Sequence, residues 1–68
     1  MNTVDLIRKA IANKVEITII PYKVHKITGL PIHFEECYYT LYIQTSDSIE
    51  VIHLRDIADF VFPKSLIK

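Results

Sequence analysis

A single cysteine occurs in 68 residues, so no disulfide can form within the chain, and a zinc site would have only one sulfur ligand. Net charge is also missing: eight Lys and Arg balance eight Asp and Glu. A chain with no net positive field lacks the ordinary electrostatic signature of a nucleic-acid or membrane-surface binder. Apolar runs are only a few residues long, against the ~20 needed to span a bilayer. The amino terminus has a charged, helix-like pattern where a signal peptide would have an apolar core. These absences lead us to expect a soluble, cytoplasmic protein with no membrane contact. Neither C-x-x-C nor H-E-x-x-H occurs, and no cofactor or metal is expected.

What is present describes a folding sequence. Half the residues are hydrophobic and 24% are charged, which separates the chain from disordered ones. The length fits one domain spanning 1–68 and no second one. So small a core is marginal alone, and self-association or a protein partner would add to it. Isoleucine occurs 12 times, whereas alanine occurs three times, arginine twice and glycine once. Residues with A/T-rich codons dominate, which points to a low-GC bacterium or one of its phages.

Val4, Ile7 and Ile11 recur at helical spacing, with Leu6 and Ala10 widening the stripe, and predict a helix over about 3–13. Asn2 or Thr3 can cap it, Asp5 suits its first turn, and Asn13 is a plausible left-handed stop. From Val15 the period changes to two. Ile17 and Ile19 continue the apolar face of a strand that Pro21 ends. A second extended segment follows, interrupted by Gly29, where a bend or bulge is expected, and continued by Leu30, Ile32 and Phe34. Cys37 to Gln44 alternates throughout, with Cys37, Tyr39, Leu41 and Ile43 on one face and Tyr38, Thr40 and Tyr42 on the other. Residues 45–48 are turn-forming. Ile49 to Leu54 reads as a strand buried on both faces for part of its length. Residues 55–58 suit one helical turn, and Phe60 to Phe62 form a last strand stopped by Pro63. The fold class is therefore mainly β: an amino-terminal helix, then a strongly bent five-stranded antiparallel sheet or small barrel over about 15–63, and a short tail at 64–68.

This order resembles the small barrels of the Sm and SH3-like type. In the Hfq-type Sm-like RNA chaperones of bacteria, a glycine–aromatic–Asp segment is similar to Gly29, Phe34 and Glu35. The end of their second motif is similar to Ile57 and Pro63. Their uridine-stacking Gln-aromatic pair falls on Glu36 and Cys37 here, and their Lys-His pair falls near Leu54 and Arg55, so one cation is kept. The run Ile17-Thr18-Ile19 with Ile27-Thr28-Gly29 also resembles YolD-like proteins. Leu54-Arg55-Asp56-Ile57 resembles the ending of WYL domains.

Catalysis would need a positioned nucleophile and base, and only Cys37 with His33 or His53 offers one. Cys37 shares a strand face with Leu41 and Ile43, so it reads as a buried apolar residue, and no enzyme is expected. His33, Glu35 and Cys37 would share a face if 33–37 were extended, but their spacing matches no metal motif. Tyr38 and Tyr42, together with Tyr22, are the more informative group, because tyrosine is common at interfaces and aromatics on a strand can stack bases. Phe60, Phe62 and Leu66 complete the expected interface. The expected function is a small non-enzymatic binding module acting through a protein partner or self-association, of the kind a phage or mobile element of a low-GC bacterium carries as an accessory protein. The alternative is an Sm-like RNA-binding homo-oligomer, motivated by the Gly29–Phe34–Glu35 spacing and less favoured because the Gln-aromatic and Lys-His pairs are not kept and the net charge is zero. No small-molecule substrate is expected.

Overall fold

The computed structural model describes residues 2–67. Met1 and Lys68, the ends of the expected domain and tail, lie outside the described residues. Helix α1 spans Thr3–Asn13 and is capped by Asn2, whose side-chain oxygen accepts from Asp5 N–H at 2.9 Å. Its other end is closed by Lys14, which takes the left-handed conformation (φ 54°) expected of Asn13. Val15 N–H then donates to the Ala10 carbonyl at 2.9 Å, a second bond to an oxygen that already accepts from Lys14 N–H.

Five strands follow: β1 (Ile17–Pro21), β2 (Ile27–Glu35), β3 (Thr40–Gln44), β4 (Ile49–His53) and β5 (Ile57–Val61). A 3-10 turn, Leu54–Asp56, joins β4 to β5. The sheet order is β4-β3-β2-β1-β5, antiparallel throughout. The expected helix and bent five-stranded sheet are what the chain forms.

Strand β2 makes the bend. Its first half pairs with β1, Ile17 opposite Gly29 and Ile19 opposite Ile27, and its second half pairs with β3, from Leu30 opposite Gln44 to Glu35 opposite Thr40. The bulge lies between Pro31 and His33, not at Gly29. It also overturns the expected face, because the extra residue Ile32 points outward while Pro31 and Phe34 are buried. Ile7, Ala10, Ile17, Ile19, Phe34, Leu41, Ile43 and Ile57 form the core, with α1 laid over β2.

Three further expectations fail. β4 is an accessible edge of the sheet, as the last strand also is, but it is not buried on both faces: Ile49 and Val51 are 53% and 57% exposed. Cys37 is exposed, because residues 36–39 form a turn and the strand starts only at Thr40. The tail folds into a short helix, α2 (Lys64–Ile67), whose Leu66 is 2% exposed and joins the core, so it does not present an interface. Phe60 and Phe62 are partly buried against that core and stack on each other at 5.6 Å. Among the described residues, no helix is long and apolar enough to cross a membrane.

Candidate functional site

Strand β2 ends at Glu35, and the chain must reverse within four residues to begin β3. Several contacts fix that turn. Cys37 N–H donates to Glu35 Oε2 at 3.3 Å, Tyr39 N–H donates to the Glu36 carbonyl at 3.4 Å, and Glu36 pairs with Arg8 of α1. Tyr39 adopts φ 47°, a left-handed conformation uncommon for a bulky side chain, so the surrounding contacts must hold it there. Its carbonyl accepts from Leu54 N–H at 2.9 Å, which ties the β2–β3 turn to the 3-10 turn. Its ring tilts against Phe34 at 6.1 Å.

Thr40 supports the arrangement from below. It is the buried polar residue of the core, 6% exposed. Its hydroxyl donates to the Tyr38 carbonyl at 3.3 Å and also lies 3.0 Å from His53 Nδ1. With the hydroxyl proton directed at the Tyr38 carbonyl, the Thr40 oxygen is free to accept from an Nδ1–H of His53.

Between the two turns lies an open hollow of about 420 Å³ lined by Cys37, Tyr38, Tyr39, His53, Leu54 and Arg55. Tyr38 and Tyr39 are 74% and 58% exposed. Two exposed aromatic faces beside a guanidinium and an imidazole can stack a planar group and neutralise an anionic one. They supply no nucleophile-base-orienter arrangement.

The expected site residues are thus dispersed. Tyr38 is in this hollow. Tyr42 lies in mid-strand on the outer sheet face, opposite His33 and Val51 in the register, with its ring edge-on to His33 at 5.3 Å. Tyr22 is in the β1–β2 loop. His33, Glu35 and Cys37 do not share a strand face, since the strand stops before Cys37. Among the described residues, no three His, Cys, Asp or Glu side chains gather as a metal site. Sequence reasoning missed Tyr39, and it weighed His53 only as a base for Cys37, not as part of a binding surface. The Tyr38-Tyr39 doublet was the available signal, because strict alternation would bury one ring of the pair. Arg55 was visible as the one cation retained in the resemblance.

No family model matches the sequence, and no curated protein matches it. The fold, in contrast, is similar to a solved structure of the pleiotropic translational regulator Hfq, with a TM-score of 0.77. The likeness covers 90% of this chain and 89% of that one at 13% sequence identity. At that identity it is a likeness of fold: the chain has the Sm-like fold, a helix followed by five bent antiparallel strands.

Proposed function

We propose that the chain is a non-enzymatic, cytoplasmic RNA-binding protein that works as an assembly of its own copies and stacks bases of single-stranded RNA in the hollow at Tyr38 and Tyr39. The observation that carries this reading is the pair of exposed tyrosines held beside Arg55 and His53 between two tied turns. The likeness to a translational regulator supports RNA over the protein partner that composition suggested, and nothing in it supports a phage accessory role. Both outer strands, β4 and β5, pair on one side only among the described residues, and an open edge carrying Ile49, Val51 and Val61 favours addition of a second copy.

Zero net charge sets the character of the binding. Few phosphates can be neutralised, so counterion release contributes little and stacking supplies most of the affinity. The test is fluorescence anisotropy with labelled RNA homopolymers of about 12 nucleotides, measured over a salt series. Tyr38→Ala is expected to weaken binding roughly tenfold, with a shallow salt slope in both proteins. Wild-type protein that binds none of the homopolymers, or a Tyr38→Ala variant that binds like wild type, would falsify the reading.

A further inference from the structure

The 3-10 turn Leu54–Asp56 is clasped on both sides by loops that carry exposed tyrosines. On one side Leu54 N–H donates to the Tyr39 carbonyl at 2.9 Å. On the other, Tyr22 N–H donates to the Asp56 carbonyl at 3.0 Å. Beyond that second hydrogen bond lies another hollow, about 460 Å³, lined by Pro21, Tyr22, Lys23, Val24, Ile52 and Asp56. Tyr22 is 70% exposed and Val24 60%. Lys23 brings a cation into the hollow, and His25 and Lys26 follow in the same exposed loop, against the single carboxylate of Asp56.

We infer that this second hollow is a stacking subsite for the next part of the same RNA strand, an inference that rests on the RNA reading of the first hollow. The strand crosses the 3-10 turn from Tyr38 and Tyr39 to Tyr22, with Arg55 and Lys23 placed toward its phosphates. Three residues of 3-10 helix span about 6 Å, a step that neighbouring nucleotides of an extended strand can cover. An aromatic face, apolar walls and a cation on an open groove are the parts of a sequence-tolerant single-strand track. A peptide strand fits less well here. Pro21 has no N–H and the Tyr22 N–H is already taken by the Asp56 carbonyl, so neither of these two positions can donate to an added strand.

The experiment uses the full chain with two fluorescein-labelled probes: a uridine trinucleotide and a uridine homopolymer of about 12 nucleotides. Tyr22→Ala is expected to weaken the long RNA roughly fivefold or more while leaving the trinucleotide within about twofold. Tyr22→Phe, which keeps the stacking face, retains the long-RNA affinity, and Tyr38→Ala weakens both probes. Tyr22 is exposed, so its truncation removes no core packing, and circular dichroism checks this. If Tyr22→Ala binds the long RNA like wild type while Tyr38→Ala does not, the second subsite is wrong and the first stands. Equal loss on both probes overturns it too, because Tyr22 would then act through the first hollow. Wild-type protein that binds neither probe removes both readings.

Discussion

Gly29 lies so close to the end of β3 that a Cβ built on it would stand 2.4 Å from the carbonyl oxygen of Gln44. The obstacle is backbone, not a flexible side-chain tip, so it cannot swing away. The glycine is therefore required by proximity, at the point where β2 leaves β1 and turns along β3. Gly29→Ala is expected to destabilise the fold by about 2 kcal/mol, as overpacking does in tight cores. Urea denaturation reads this directly, and an unchanged midpoint would mean that β3 shifts aside at no cost.

Thr40 makes a second prediction, one that links stability to binding. Thr40→Val keeps the shape but removes the hydroxyl shared by the Tyr38 carbonyl and His53. A loss of about 1 kcal/mol is expected from the missing hydrogen bonds. RNA affinity should fall with it, because the turn bearing Tyr38 loses its support. Thr40→Ser restores the hydroxyl and should recover affinity. Equal RNA binding by Thr40→Val and wild type would show that the turn holds its tyrosines without this contact.

The carboxyl-terminal helix gives a comparison between neighbours. Leu66 is buried against the core, whereas Ile67 beside it is exposed. Leu66→Ala is expected to cost about 2 kcal/mol. Ile67→Ala should change stability by less than about 0.5 kcal/mol. Thermal denaturation of the two variants separates them, and similar midpoints would mean that α2 does not dock on α1.

Self-association is tested at the two sheet edges. Val51 on β4 and Val61 on β5 are both exposed, and a lysine at either place opposes addition of a further strand. Val51→Lys and Val61→Lys are each expected to lower the mass seen by light scattering while leaving the circular dichroism unchanged. A wild-type mass of 7.9 kDa, that of one chain, would remove the assembly from the proposed function.

Local periodicity carried most of the fold. The stripe of Val4, Ile7 and Ile11 marked the span of α1, with its left-handed stop one residue later than expected, and the alternation from Val15 through Ile19 marked the face of β1. The same rule misread residues 37–39, because Cys37 and Tyr39 happen to continue the alternation of Leu41 and Ile43. Their true conformation depends on a left-handed Tyr39 held by distant groups, Leu54 among them, which no local window contains. The apolar composition of β4 was also misleading. Whether Ile49 and Val51 are covered depends on the strand's place in the sheet, a global property. The site was harder to see for the same reason. Tyr38, Tyr39, His53 and Arg55 meet across two turns, and only Arg55 carried a signal through the resemblance.

The strand order also divides the folding reaction. Three of the four ladders, β1–β2, β2–β3 and β3–β4, join chain neighbours as hairpins, whereas β1–β5 unites the first strand with the last. Loop-closure entropy therefore weighs chiefly on that one seam. It is stitched by Thr18 opposite Val61, Ile19 opposite Phe60 and Ile20 opposite Asp59, with an irregularity at Pro21. Loop-closure entropy thus predicts that the four-strand meander zippers locally and that β5 docks after it. The 3-10 turn belongs to the connection that delivers β5, so both tyrosine hollows reach their final form only when this late step is complete.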